Sequence, residues 1–259
     1  MRPCYPRIVF FDMEGTLLQK AYHLDDGKVA PSAWTVLAEK LGETCLKLEN
    51  ESKDIYLAGG YRGGYLEWML KTVELHQRFG LTQSIFQDLV DSASFMPNTE
   101  QALERIHGWG SVSVLISGGF KALADRVQRR LRIQHAFSGC EYYFHPNTGA
   151  IEHCNLLPAD EKGKADFMRL MCREYGFEPL DCAFVGDGKN DVHLASSSPT
   201  QSSLFSSSRH FSTLTRPKRR RGFAVVSRED FSCMKRCSPS VSYVAPPLVA
   251  RAPAKISSE

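Results

Sequence analysis

Three short apolar runs constrain the fold of this chain, because each stops at a polar segment that contains glycine. The runs lie in residues 7–11, 112–116 and 182–185. Four consecutive apolar residues, as in the first run, are typical of a strand that is buried on both faces. Apolar residues at helical spacing occupy much of the sequence between the runs. This order of strands and helices predicts an α/β fold, in which helices cover both faces of a parallel sheet.

The segment between the first two runs differs from its surroundings, because residues 18–90 carry helical patterns and no strand of their own. We therefore predict a core made of residues 1–17 and 91–195, with residues 18–90 inserted as a helical domain. Where the core resumes, Asn98 and Gln101 are typical of a capping pair that starts a helix.

Residues 196–259 form a different kind of sequence. They hold 11 of the 32 Lys and Arg residues and 3 of the 29 Asp and Glu residues, a net charge of +8 against −5 for residues 1–195. They also contain 16 Ser residues, so we expect a basic tail that is largely disordered.

Two segments of this tail carry predictions of their own. The apolar run within residues 222–227 could add a strand and complete the core; without it, the sheet would lack one strand. The basic run at 216–221 is typical of a disordered tail, and the alternative is a nuclear localisation signal or a patch that binds nucleic acid or another acidic partner.

Membrane and secreted proteins are not indicated. No apolar run reaches transmembrane length, and the apolar residues near the N-terminus are too few for a signal peptide. The eight cysteines are scattered without a CxxC pair or the spacing of a zinc site, so we expect free thiols. A cytoplasmic protein that does not bind membranes is the resulting prediction.

The first two strand ends carry residues that suit phosphate chemistry. Asp12 and Glu14 follow the first strand, and one carboxylate could attack as a nucleophile while the other gives or takes a proton. Ser117, Gly118 and Gly119 follow the second strand, where a hydroxyl and exposed backbone N–H groups suit a phosphate oxygen. Each segment alone is also compatible with an ordinary turn. Ligands of open α/β sheets bind beyond the carboxyl ends of the strands, so their coincidence predicts a phosphate site there.

The third strand end adds metal ligands, and a nearby helix adds a cation. Asp187 and Asp191 supply the hard oxygen ligands that Mg²⁺ prefers. A phosphoryl site also needs a positive charge, and Lys164 at the start of the preceding helix can supply it. Lys162 is the competing candidate for this role.

These segments together resemble the motifs of the haloacid dehalogenase superfamily, specifically its phosphoserine phosphatase-like hydrolases. In chain order the motifs are Phe-Asp-Met-Glu-Gly-Thr, Ile-Ser-Gly-Gly-Phe, Gly-Lys-Ala-Asp and Val-Gly-Asp-Gly-Lys-Asn-Asp. The resemblance covers residues 7–195. It implies a Rossmann-like sheet of the haloacid dehalogenase type, with residues 18–90 as a helical cap that closes over the substrate.

The resemblance also implies a mechanism. Asp12 would attack a phosphomonoester and form an aspartyl-phosphate, while Glu14 would protonate the leaving oxygen and then activate water. Mg²⁺ would be bound by Asp12, by Glu14 through its backbone carbonyl and by Asp187, with Asp191 in support. The phosphoryl group would be held by Ser117, Gly118, Gly119, Lys164 and Asn190.

Two departures from the family pattern leave the reaction and the substrate open. Glu14 stands where hydrolytic members usually have Asp, and Glu at this position is also a feature of phosphotransferases that move phosphate from phosphoserine to homoserine. Ala21 stands near the position of an acidic residue that grips phosphoserine. Arg62 and Arg78 match the corresponding Arg only imprecisely.

The sequence therefore predicts a Mg²⁺-dependent phosphatase that acts on a small, phosphoserine-like phosphomonoester. One alternative is phosphate transfer to a small alcohol. Another is a catalytically weak homologue whose basic tail binds an acidic partner.

Overall fold

One sheet organises the part of the chain that the computed structural model describes, residues 5–187 and 224–227. Its strands are β1 (Ile8–Phe11), β2 (Val112–Phe120), β3 (His135–Phe144), β4 (Ile151–Leu156), β5 (Cys182–Gly186) and β6 (Ala224–Ser227). They lie in the order β4-β3-β2-β1-β5-β6, and each neighbouring pair is parallel except β3 and β4. The three strands that follow from the apolar runs lie side by side, with β1 between β2 and β5. The predicted α/β fold is confirmed.

The position of β1 explains why its sequence is apolar without interruption. Successive side chains of a strand point to opposite faces of the sheet. Ile8 and Phe10 therefore pack into one hydrophobic cluster, and Val9 and Phe11 pack into another on the opposite face. All four residues are buried, so a polar residue at any of them would face a core.

Seven helices of the described chain cover the two faces. They are α1 (Ala33–Lys40), α2 (Glu43–Leu57), α3 (Gly64–Arg78), α4 (Gln83–Ser92), α5 (Thr99–Gly108), α6 (Lys121–Leu131) and α7 (Lys162–Tyr175). α7 contributes Met168 and Met171 to the cluster that contains Phe10. The cluster that contains Phe11 receives residues from the other side of the sheet, including Leu37 of α1 and Leu123 of α6.

The second strand is longer than the sequence predicts. Ser117, Gly118 and Gly119 were expected after the strand, but β2 continues through them to Phe120. The pairing of β2 with β3 shifts its register between Ser117 and Phe120, as an irregular or bulged strand does. A Cβ atom on Gly139 of β3 would collide with the Gly118 carbonyl. Glycine therefore allows a close approach of two strands here.

α5 begins where the sequence predicts, with Asn98 as the residue before its first turn, but the predicted capping hydrogen bond does not form. Asn98 has a φ of 65° and makes no capping hydrogen bond with its side chain, because a side-chain cap needs the extended backbone that Asn98 does not adopt. The hydroxyl of Thr99 instead donates to the Met96 carbonyl at 3.0 Å.

Part of the sequence tail belongs to the described chain. β6 lies within the segment that we offered as a further strand, and Ala224 pairs with Ala183 of β5 in parallel. The basic run at 216–221 and the remaining tail residues lie outside the described residues. None of the described helices combines the length and the hydropathy that crossing a bilayer requires.

We expect the aromatic contacts of Phe120 to dominate the core at the end of β2. Its fully buried ring lies 4.3 Å from Trp34, 5.2 Å from Phe86 and 5.4 Å from Tyr142, measured between ring centroids. Phe120→Ala should lower the free energy of unfolding by about 3–5 kcal/mol, as buried aromatic truncations do. Urea denaturation would measure this loss. Leu57→Ala, at a side chain that is 68% exposed, is the control and should change the free energy by less than about 0.5 kcal/mol. Equal effects of the two variants would contradict this account.

Candidate active site

Asp12 is held at the carboxyl edge of the sheet. It follows β1 directly, and its backbone N–H donates to the Val185 carbonyl of β5 at 2.9 Å. One carboxylate oxygen, Oδ1, lies 2.9 Å from Nζ of Lys164. The Asp12 side chain as a whole is only 14% exposed. Asp12 is therefore a well-fixed carboxylate with a cation at hydrogen-bonding distance.

Lys164 brings a buried positive charge to this edge. Its side chain is 3% exposed and lies 5.8 Å from the centre of the Phe184 ring. A second carboxylate, Asp160, lies 3.5 Å from Nζ. Lys162, the competing candidate, is exposed. A buried ammonium is stable only when it is paired, and Asp12 and Asp160 both provide such a partner.

Glu14 is partly buried and points towards the helices that follow β1. Its Oε1 accepts a hydrogen bond of 2.8 Å from the backbone N–H of Ala33, the first residue of α1. Burial raises the pKa of Glu14 to about 7, and this outweighs the hydrogen bond from Ala33, which lowers it. The charge of Asp12 raises this pKa further. Near neutral pH the side chain can therefore act both as an acid and as a base.

The segment from Ser117 to Gly119 reaches the same space. The buried Ser117 hydroxyl accepts a hydrogen bond of 3.1 Å from the Gly119 N–H. A Cβ atom on Gly119 would lie 3.3 Å from Ser117 Oγ and 3.5 Å from Glu14 Oε2. The space beside Gly119 is thus bordered by the predicted phosphate-binding hydroxyl and by the predicted acid.

Gly118 connects this segment to two helices. Its carbonyl accepts hydrogen bonds from the hydroxyl of Tyr65 at 2.7 Å and from Nε1 of Trp34 at 3.3 Å. A Cβ atom on Gly118 would lie 2.7 Å from Oδ2 of Asp160. Glycine is required here because Asp160 and Tyr65 already occupy the space.

Asp187 lies next to the loop that follows β1. Gly15 has a φ of 85°, and a Cβ atom there would lie 2.7 Å from Oδ1 of Asp187. The other carboxylate oxygen of Asp187 accepts from Nζ of Lys20 at 3.1 Å. Gly15 therefore meets two demands at once, a left-handed backbone and a close carboxylate.

The oxygen donors at this edge are of the kind that Mg²⁺ prefers. They are the carboxylates of Asp12 and Asp187, on adjacent strand ends, and the backbone carbonyl of Glu14 between them in the loop. Residues 5–187 contain no group of three or more His, Cys, Asp and Glu side chains arranged to hold a metal ion. Two predicted residues, Asn190 and Asp191, lie outside the described residues. The donor chemistry fits the metal, and two of the predicted ligands, Asp12 and Asp187, are described side chains at this edge.

Sequence reasoning missed three residues of this site. Asp160 lies four residues before Lys164, and this i,i+4 spacing was a usable signal. Trp34 and Tyr65 gave no such signal, because their contact with Gly118 depends on how α1 and α3 pack over β2. Their aromatic character fits an ordinary helix core equally well.

Comparison with known proteins finds relatives for the first three quarters of the chain. A family model described as a haloacid dehalogenase-like hydrolase matches residues 6–197, a range that includes every predicted site residue. A probable phosphoserine phosphatase from Schizosaccharomyces pombe is 26% identical over 196 residues, which cover 74% of this chain and 59% of that protein. A phosphoserine phosphatase from Lactococcus lactis is 25% identical over 115 residues, which cover 44% of this chain and 52% of that protein. The chain thus spans little more than half the length of these curated relatives.

A solved structure shares the fold. It is described as a phospho-aspartyl intermediate analogue of phosphoserine phosphatase. The superposition has a TM-score of 0.55 at 16% sequence identity, and covers 73% of this chain and 82% of the other. At this identity the likeness concerns the fold alone.

The raised pKa of Glu14 should make stability depend on pH. The folded protein holds this proton more tightly than the unfolded chain, so the contribution of Glu14 is fully present below its ordinary pKa of 4.5 and is lost as pH rises through about 7. Glu14→Gln keeps the shape without the charge. We therefore expect the variant to be more stable than the wild type at pH 8, with the difference shrinking towards pH 5.

Chemical denaturation of both proteins at several pH values, in buffer containing EDTA, would measure this difference. A stability difference that stays constant between pH 5 and pH 8 would contradict the raised pKa.

Proposed function

The chain belongs to the haloacid dehalogenase-like hydrolases, and on this premise we propose that it is a Mg²⁺-dependent phosphatase of small phosphomonoesters. The observation that carries the proposal is the pairing of Asp12 with the buried Lys164 at 2.9 Å, at the same sheet edge as Glu14 and Ser117. The arrangement supports the proposal, because a carboxylate that could attack, a cation and a carboxyl group that could donate a proton lie around one space. The phosphoserine phosphatase names of the curated relatives agree with this class of reaction.

In the first step, Asp12 attacks the phosphorus atom of the ester. A bond forms between its carboxylate oxygen and phosphorus, and the bond from phosphorus to the leaving oxygen breaks. Protonated Glu14 gives its proton to that oxygen, so that a neutral alcohol departs. The product on the protein is an aspartyl-phosphate at Asp12.

In the second step, the same residues act in reverse order. Glu14, now a carboxylate, takes a proton from a water molecule that attacks the phosphorus atom. The bond to Asp12 breaks, and inorganic phosphate and free Asp12 result. A pKa of about 7 suits both tasks, because the acid and the base forms have similar populations at neutral pH.

Charge on the phosphoryl group must be balanced throughout. We assign this role to Lys164, with Ser117, Gly118 and Gly119 of the β2 end and Asn190 as hydrogen-bonding partners. Mg²⁺, when bound, would neutralise charge on the phosphoryl oxygens and on the attacking carboxylate. Its proposed ligands are Asp12, the Glu14 carbonyl, Asp187 and Asp191.

Residues 18–90 serve as a cap in this proposal. Three contacts described above join helices of this segment to the sheet edge: Ala33 to Glu14, and Trp34 and Tyr65 to Gly118. A cap that rests on the proposed acid and on the phosphate-binding strand would exclude bulk water from the phosphoryl group.

Replacing the nucleophile tests the proposal directly. Asp12→Asn keeps the size of the side chain and removes the attacking oxygen, so kcat with p-nitrophenyl phosphate and Mg²⁺ should fall by about 10³-fold or more. Asp26→Asn is the matched control, because Asp26 pairs with Lys28 on the exposed surface, and it should retain the wild-type rate. Thermal unfolding of all three proteins would verify that they are folded. A wild-type rate in Asp12→Asn would exclude this residue as the nucleophile.

The role of Glu14 as an acid predicts a dependence on the leaving group. Glu14→Gln should lose about 10²–10⁴-fold in phosphoenzyme formation from an alkyl phosphate, whose leaving oxygen needs a proton. The loss should be much smaller for p-nitrophenyl phosphate, whose leaving group departs without one. Because dephosphorylation also needs the base, the variant should release one equivalent of p-nitrophenolate in a burst and then slow down.

Stopped-flow absorbance would record the burst, and rapid quench would give the alkyl phosphate rates. Equal losses with the two kinds of substrate would show that Glu14 is not the proton donor.

A further inference from the structure

We infer that the site takes phosphate esters of short, uncharged alcohols rather than of amino acids. The inference rests on the proposed function, and it names the chemical class of the group that leaves. It comes from a cavity beside Glu14 whose walls are apolar.

The cavity lies between the loop after β1 and helices α1 and α4. Its volume is about 30 Å³, and Glu14 and Ala33 are on its wall. The proposed acid must reach the oxygen of the departing alcohol, so the alcohol has to lie on the side of the site that Glu14 faces. This cavity is therefore the space into which the alcohol part of the ester extends.

The walls of the cavity are mainly hydrocarbon. The residues that form them most deeply are each no more than 3% exposed. They are Leu18, Ala30, Val36, Leu89 and Leu123. Such walls favour an alkyl group, because burying apolar surface is favourable and needs no specific partner.

Among the described residues, the cavity lining has no pair of free charged groups for an amino acid. Among the described residues that line it, Lys20 and Glu14 carry charge. Nζ of Lys20 already pairs with Asp187 at 3.1 Å, and Glu14 is the proposed acid. The other polar lining residues, which include Ser32, Ser92 and Ser94, are uncharged. The α-ammonium and α-carboxylate of phosphoserine would therefore be buried without an oppositely charged partner among the described residues, which is unfavourable.

The small volume of the cavity also favours a short alkyl group over an amino acid. A cavity needs about 10–15 Å³ to hold one water-sized group, so this one accepts about two such groups. That matches the end of a two- or three-carbon chain better than a branched amino acid.

A second cavity lies nearby and is the rival location. It is larger, about 330 Å³, more open, and lined by residues that include Gly15, Lys20 and Asp187. Glu14 is not among the residues that line it. An alcohol placed there would lie on the Asp187 side of the loop, away from the proton donor.

Three esters of similar size test the inference. Propyl, 2-aminoethyl and carboxymethyl phosphate end in a methyl group, an ammonium group and a carboxylate. We expect kcat/KM of the wild-type protein for propyl phosphate to exceed that for each charged ester by about tenfold or more. Phosphoserine should be turned over no better than the charged pair. A higher kcat/KM for any of the three charged substrates would overturn the inference.

p-Nitrophenyl phosphate separates this result from a failure of the proposed function. If the protein hydrolyses it and yet prefers a charged ester, the inference about the alcohol fails and the phosphatase proposal stands. If the folded protein with Mg²⁺ hydrolyses neither this ester nor the three alkyl esters, both fail.

A pair of variants at Ala21 provides a second test. Ala21 lines the cavity and is exposed, so a polar side chain can be introduced there without opening the core. Ala21→Asp should raise the ratio of kcat/KM for aminoethyl over propyl phosphate by about three- to fivefold, the range of an exposed ion pair. Ala21→Asn, of the same size and uncharged, should leave the ratio unchanged. An unchanged ratio in Ala21→Asp would show that the alcohol does not lie in this cavity.

Discussion

The buried ion pair between Asp12 and Lys164 is the interaction on which the site depends. It joins residues that are 152 positions apart, and it fixes the start of α7 against the carboxyl end of β1. Neither group could be buried at this edge alone, because an isolated charge in a core is strongly unfavourable. Two other carboxyl groups lie close to this pair. Asp160 is a second partner of the Lys164 ammonium, and Glu14, in the loop after Asp12, accepts a hydrogen bond from the first residue of α1.

The sequence predicted the central part of this arrangement because apolar runs and strand ends are local features. Four continuous apolar residues are sufficient to predict β1, and the parallel pairing of β1, β2 and β5 then brings their carboxyl ends together. The start of α5 was predicted correctly, but the side-chain cap does not form, because Asn98 adopts a left-handed backbone that a capping pattern does not reveal. The contacts of Trp34 and Tyr65 with Gly118 were out of reach, since they depend on the packing of helices against a strand far away in sequence. Asp160 could be predicted only in part. Its spacing from Lys164 is visible in the sequence, but its position against Gly118 of β2 is not.

The sequence left open the type of reaction and the contribution of the tail to the sheet. The comparisons agree with a haloacid dehalogenase-like hydrolase and with phosphoserine phosphatase-like relatives, and they give no support to phosphate transfer or to a catalytically weak homologue. A strand at Ala224–Ser227 extends the sheet beside β5, so one segment beyond residue 195 belongs to the described sheet. The substrate class that we propose differs from the one in the names of the relatives, because we expect the largely apolar cavity beside Glu14 to bind an amino acid poorly.

The Gly118 carbonyl links helices α1 and α3 to β2, because it accepts hydrogen bonds from Trp34 and Tyr65. Two donors from the helices polarise this peptide unit, and polarisation passes along it to the Gly119 N–H on the same peptide group. That N–H donates to the Ser117 hydroxyl at 3.1 Å, and a hydroxyl that accepts a stronger hydrogen bond is itself a better donor to an anion. By thermodynamic reciprocity, an anion on the strand side then strengthens the hold of Trp34 and Tyr65 on the carbonyl side. A single peptide group can thus couple anion occupancy to the packing of α1 and α3 against β2.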